Sequence, residues 1–184
     1  MKREIDPRER PQPARHSVPR PERGGPCLRR RNRYTEPVSQ LAVRPGSPGD
    51  KPAVVEIQSL CPQAAAWPED AYDEILTGGR PEKCLVAELE ESVIGFLLYR
   101  LTAPDECEIL NLAVDPSHRR AGAGRGLVDW LVSRHAADIR LEVREGNESA
   151  KAFYHAQGFV ASGRRTAYYR YPVEDAVLMV RKAG

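Results

Sequence analysis

From residue 38 onward, apolar and polar positions recur with periods that divide the chain into strands and helices. VSQLAVR, residues 38 to 44, alternates and predicts a first strand, with a turn over Pro45 to Pro48. Asp50 then stands as a helix cap before AVVEIQSLC, whose Val54, Val55, Ile57 and Leu60 share a face. Trp67-Pro68 interrupts the chain ahead of a second short helix, EDAYDEILT, closed by Gly78-Gly79. KCLVAEL, SVIGFLLYRL and CEILNLAV follow as three strand-like runs, and the short polar or Pro-containing turns between them predict an antiparallel meander. After the glycine-rich stretch HRRAGAGRG, residues 118 to 126, comes the helix GLVDWLVSRHAA, with Leu127, Val128, Leu131 and Val132 on one side. IRLEVRE is another strand, Asn147 caps the helix ESAKAFYHAQ, and Gly158 stops it. FVASGRR and AVLMVRK close the chain as a strand pair. Strands, then helices, then strands again predict an α/β fold with one sheet of mixed pairing.

Composition alters this picture mainly at the N-terminus. The net charge of +2 hides an asymmetry: residues 1–35 hold eleven Lys/Arg, four Asp/Glu and six of the 16 prolines. That segment carries about +7 and the remainder about −5. It has too few large apolar residues to offset the entropy of ordering, so a disordered Arg/Pro-rich tail is expected over 1–35 and a folded domain over 36–184. The tail reads as an arm that touches RNA or the ribosome by neutralising phosphates, as a solvated extension, or as residues upstream of the true start. The longest apolar run, Val93 to Tyr99, is far short of the ~18 residues of a membrane span. Nor does the charged N-terminus resemble a secretion signal. Cys27, Cys61, Cys84 and Cys107 are scattered, with no C-x-x-C pair, and the four histidines lack metal-ligand spacing. Reduced thiols in a cytoplasmic protein, with no metal site, are the expectation.

The candidate chemistry is concentrated where HRRAGAGRG joins a strand to a helix. The first turn of a helix has unpaired N–H groups and the positive end of the dipole, a natural seat for an anion. Gly122 and Gly124 carry no side chain to keep a phosphate from the backbone, and Arg119, Arg120 and Arg125 add charge. The spacing is neither a P-loop nor the dinucleotide G-x-G-x-x-G. A structural turn with exposed arginines is the alternative.

LAVDPSHRRAGAGRGLVDWLV resembles the acetyl-CoA-binding segment of the GNAT superfamily of acyl-CoA N-acyltransferases, its R/Q-x-x-G-x-G/A signature standing at Arg119, Gly122 and Gly124. LEVREGNESAKAFYHAQGF resembles the second half of that family's core. Two motifs in the right order and separation are more specific than either alone, and the likeness spans roughly 36 to 184. Within the superfamily the chain is most similar to the ribosomal-protein-alanine N-acetyltransferases, through CPQAAAWPEDAYDEIL, GRRTAYY and EDAVLMV. It departs from them inside GRRTAYYRYPVEDA, where an extra residue separates the arginines from the tyrosine pair.

The resemblance implies a mixed, mostly antiparallel central sheet flanked by helices, and acetyl-CoA as co-substrate without a metal. Leu112, Ala113 and Val114 would offer backbone groups to the thioester arm, which is compatible with their being core strand. Arg119, Arg120, Ala121, Gly122, Ala123, Gly124 and Arg125 would cradle the pyrophosphate, and Asn147 would touch the cofactor as well as cap its helix. Glu142 is the family-matched general base and Tyr154, twelve residues later, the acid for the departing sulfur. Read without the family, Glu142 is a solvent-facing strand residue and Tyr154 an aromatic packed on the sheet. Tyr168 and Tyr169 line the acceptor groove or pack a strand end. The implied activity is acetyl transfer to a protein's N-terminal α-amine, that of an N-terminal alanine on a ribosomal protein. A small amine or an internal lysine is the alternative acceptor, and a non-catalytic CoA-binding or ribosome-docking module is the alternative of another class.

Overall fold

The computed structural model describes residues 40–184. The predicted tail over 1–35, and the first two residues of the predicted strand VSQLAVR, lie outside them. The order of elements is β1 (Ala42–Pro45), α1 (Lys51–Ser59), α2 (Glu69–Thr77), β2 (Lys83–Leu89), β3 (Ser92–Ala103), β4 (Glu106–Val114), α3 (Ala123–Arg134), β5 (Asp138–Arg144), α4 (Glu148–Ala156), β6 (Val160–Arg170) and β7 (Val173–Arg181). All strands join one seven-stranded sheet in the order β1-β2-β3-β4-β5-β7-β6. Every pairing is antiparallel except β4 with β5. The predicted meander is β2–β3–β4, and the predicted closing pair is β6–β7.

Two apolar layers sandwich the sheet. Val54 and Ile57 of α1 and Tyr72 and Ile75 of α2 pack with Val86, Phe96 and Leu98 on one side. Leu127, Val128 and Leu131 of α3 and Tyr154 of α4 pack with Leu85, Leu97, Ile139, Leu141 and Val143 on the other. Neighbouring strand residues go to opposite layers because side chains alternate along a strand. β4 breaks that rule. Leu98 pairs with Asn111 and Tyr99 with Ile109, so Leu110 is an extra, bulged residue. Cys107 and Ile109 therefore face the α3–α4 side, whereas Ala113 faces the α1–α2 side. Burial alternates without a break along β4, which conceals a change of face.

Some local expectations are corrected. Pro45 ends β1 rather than opening a turn, tolerated because β1 is an edge strand. Helix α3 starts at Ala123, three residues earlier than the pattern suggests, since the small residues of its first turn carry no apolar signal. In α1, Val54 and Ile57 are buried but Leu60 is exposed and outside the helix. Asp50 precedes α1 yet its side chain does not cap it. It is taken instead by Arg44, at 2.8 and 2.9 Å, and by the Ser47 N–H and hydroxyl.

The buried Asp50 carboxyl is held at about 2 by the Arg44 guanidinium and the Ser47 donors, which outweigh desolvation. A depressed carboxylate stabilises the fold above its unfolded value near 4, and the gain is lost as pH falls toward 2. Asp50→Asn is expected to cost on the order of 2 kcal/mol at pH 7 and progressively less below pH 4, read from urea midpoints at the two pH values.

Candidate active site

The site begins where β4 and β5 part. Their pairing covers only Glu106–Ile109 against Asp138–Leu141. The bulge at Leu110 turns β4 away, while β5 stays with β7 through Arg144. The β4 edge over Leu112, Ala113 and Val114 is thus left unpaired by β5, and its backbone can receive a chain laid into the fork. The Cys61 thiol already donates to the Val114 carbonyl, at 3.4 Å.

Beyond Val114 the chain turns sharply into α3. Asp115 accepts from the Ser117 N–H at 2.8 Å, and Ala121 N–H reaches the His118 carbonyl. Arg120 and Gly122 both lie in the left-handed region, at φ 68° and 89°. The first helical bond runs from Gly126 N–H to the Gly122 carbonyl at 2.8 Å, and no side chain caps the helix. Among the described residues, the N–H groups of Ala123, Gly124 and Arg125 therefore have no acceptor. Three amides at a helix start form a cradle fit for a pyrophosphate. The Arg119 and Arg120 side chains are exposed without an acidic partner among the described residues, whereas Arg125 pairs along its helix with Asp129. Gly124 has a packing role as well: a Cβ there would stand 3.3 Å from the Phe153 ring.

Gly122 is the pivot of the cradle. A valine at its positive φ is strained by about 1–2 kcal/mol and tilts the peptide planes that aim the amides. Gly122→Val is expected to weaken acetyl-CoA binding roughly 5- to 30-fold. Calorimetric titration checks this without any acceptor present.

The candidate pair is not side by side. Glu142 and Tyr154 lie on opposite faces of the sheet, since Leu141 and Val143 share the α3–α4 layer with Tyr154 and Glu142 alternates away from them. The Glu142 side chain is 16% exposed and pairs with Arg165 Nη1 at 2.9 Å, and its carboxylate raises the neighbouring Tyr168 phenol. It lines a cleft of about 330 Å³ on the open face of β4, β5, β7 and β6, with Arg165, Tyr168 and Leu178. Tyr154 is buried with its ring 5.1 Å from Phe153 and 5.4 Å from Phe159. Burial, then Tyr169, pushes its phenol well above the usual range. Burial raises the Tyr169 phenol, Arg144 opposes that effect, and Glu142 adds to it. Tyr168 packs edge-on against Tyr169, at 5.1 Å, and Glu142 holds its phenol up. Asn147 caps α4 by accepting from Ala150 N–H at 3.1 Å.

Further polar residues surround this group. Arg165, in the GRRTAYY segment, is the ion partner of Glu142. Arg144 stacks 4.0 Å from the Tyr169 ring and pairs with Glu174 at 3.1 Å. Asn111, buried on β4, donates to the Ala65 carbonyl at 2.8 Å. Each contact joins positions far apart in the chain, so no local pattern marked these three residues. The extra residue in GRRTAYY is absorbed by an irregularity: Arg165 pairs with Ala176 and Tyr169 with Glu174, so four steps of β6 face two of β7. Ala167, at φ 48°, gives its N–H to Asp175 at 2.8 Å.

The acetyltransferase (GNAT) family matches residues 51–159, which hold the fork, the cradle, Glu142 and Tyr154 but not Tyr168 or Tyr169. An uncharacterized protein of Mycobacterium leprae is 38% identical over 122 residues, covering 64% of this chain and 33% of that one. The chain therefore spans about a third of that relative's length. The ribosomal protein bS18-alanine N-acetyltransferase of Escherichia coli is 31% identical over 138 residues, covering 71% of this chain and 89% of its own. The crystal structure of the Escherichia coli ribosomal-protein-S18-alanine N-acetyltransferase superposes with a TM-score of 0.67 at 26% identity, over 79% of this chain and 95% of that one.

Proposed function

Because the chain belongs to the acetyltransferase (GNAT) family, we propose that it transfers the acetyl group of acetyl-CoA to the α-amine of a protein, the N-terminal alanine of a ribosomal protein. The observation that carries the proposal is the open amide cradle at Ala123–Arg125 beside the unpaired edge of β4, with Glu142 across the fork. The Escherichia coli relative, 89% of whose length is matched, supports this choice of acceptor.

Bound acetyl-CoA supplies the activated acyl group. The free amides of Ala123, Gly124 and Arg125 hold its pyrophosphate in the loop shaped by Ala121 and Gly122, assisted by Arg119 and Arg120, while Leu112, Ala113 and Val114 bind the thioester arm and Asn147 adds a contact. A protein α-amine has a pKa of about 7.7–8.0 and must be neutral to attack. Glu142 takes its proton, directly or through water. A backbone N–H near Val114 steadies the developing negative oxygen. Tyr154 stays protonated because burial raises it, so it hydrogen-bonds to the sulfur as charge builds there and passes its proton late. Tyr168 and Tyr169 line the acceptor groove. The catalytic domain is residues 36–184, acting in the cytoplasm. Among the described residues no helix is long and apolar enough to cross a membrane.

Steady-state acetyl transfer to peptides differing only in their first residue, with an N-terminally blocked lysine peptide as control, tests the proposal. Transfer to the free Ala-starting peptide alone supports it. Transfer to the blocked peptide points to a lysine acetyltransferase, and transfer only to small amines to that class. CoA binding without any transfer leaves a non-catalytic module. Deleting residues 1–35 tests the proposed arm: unchanged ribosome association and acetylation would remove it.

A further inference from the structure

Arg144 stands two residues beyond Glu142 on β5 and on the same face, and it makes three contacts at once. Nη1 meets Glu174 of β7 at 3.1 Å, Nη2 donates to the Tyr171 carbonyl at 3.3 Å, and the guanidinium plane covers the Tyr169 ring at 4.0 Å. Its side chain is 23% exposed, as is that of Glu174. Glu174 in turn accepts the Gly146 N–H, in the turn that leads to Asn147 and α4. One carboxylate thus ties the β6–β7 hairpin to the start of α4, and the guanidinium ties that hairpin to β5. These residues line a second cleft, of about 290 Å³, shared with Pro62 and Gln63 from the α1–α2 connection and with Asn147.

The stretch of β6 that needs such a tie is the one carrying the tyrosines. Between Arg165 and Tyr169 the ladder with β7 is interrupted, and a run with two surplus residues has no register of its own. Tyr169 is where pairing resumes, opposite Glu174. A planar guanidinium can stack on the ring and still donate at its edge to Glu174 and the Tyr171 carbonyl, which an ammonium cannot do. We propose that Arg144, anchored by Glu174, is a positioning residue that pins the irregular segment of β6, so that Tyr169 stays under the guanidinium and Tyr168, packed against it, stays in the cleft with Glu142. It acts through the tyrosines rather than on the reacting atoms. The consequence for catalysis rests on the acetyltransferase proposal above; the pinning itself does not.

Arg144→Met keeps an apolar stem over Tyr169 and removes the fork. In the free protein, amide hydrogen exchange over residues 166–171 is expected to quicken, with the rest of the sheet unchanged. With the Ala-starting peptide, kcat/KM is expected to fall about 10- to 100-fold while the Kd for acetyl-CoA stays within twofold. Arg144→Lys does not restore the rate. Glu174→Gln moves both readouts the same way but less, because its amide oxygen still accepts from Gly146. Unchanged exchange over 166–171 overturns the proposal, as does an equal loss of acetyl-CoA affinity, which would make Arg144 part of the cofactor site. If Arg144→Met does not fold, Glu174→Gln decides by the same two readouts. A wild-type protein that acetylates none of the peptides would overturn the acceptor assignment, and the exchange result would still decide the pinning.

Discussion

Glu142→Gln is expected to lower turnover with an Ala-starting peptide by about 10²- to 10⁴-fold at neutral pH, with acetyl-CoA affinity within twofold of wild type. The substitution conserves size and leaves an oxygen to accept from Arg165, so the arrangement at β5 and β6 persists. Arg165 loses its ionic partner, but its side chain is 55% exposed and water takes up the charge. What disappears is the carboxylate proposed to receive the amine's proton at the fork. The cradle lies at the start of α3, on amides that Glu142 does not touch, which is why binding and turnover separate. Calorimetric titration of acetyl-CoA and steady-state kinetics on the same preparation check both halves. Wild-type turnover in the variant would remove Glu142 from the mechanism.

Tyr154→Phe should reduce kcat about 10- to 100-fold with little change in cofactor affinity or fold stability. The ring would remain between Phe153 and Phe159, and only the hydroxyl goes. The direction of the phenol's shift adds a second test. Burial holds Tyr154 above its usual range, so it remains protonated from pH 6 to 9. In the wild type, kcat/KM should therefore rise with pH as the peptide amine loses its proton, near 7.7–8.0, with no falling limb from Tyr154 below pH 9. Tyr154→Phe should lower the whole profile and keep its shape. A variant with wild-type kcat would leave Tyr154 as packing alone, and a profile that changes shape would mean the phenol ionises within the range.

Much of the site is visible in the chain because its parts are local. A helix start, its capping Asn147 and the glycines before α3 are decided within a few residues, so the loop between β4 and α3 stands out in the sequence as a candidate anion seat. Asp50 shows where local rules give way. As a cap it satisfies the α1 pattern, yet an arginine six residues earlier offers a charged bidentate partner, and the carboxylate goes there. Gly124 is similar: its bare backbone suits a phosphate, and only the packed helix α4 shows that a Cβ there would also crowd the Phe153 ring, at 3.3 Å.

By itself, then, the sequence determined the order of strands and helices, the mixed sheet, the strand–loop–helix cradle and the residue types able to move protons, since period, caps and turn chemistry act over a few residues. The tertiary structure alone decided that Leu110 bulges and opens the fork, that Glu142 and Tyr154 stand on opposite faces, and that Arg144 pairs with Glu174 and Arg165 with Glu142 across strands. These depend on cross-strand register and on ion pairs between distant positions, and the adjacent apolar Ile109 and Leu110 do not by themselves say that the strand bulges and reverses its facing there.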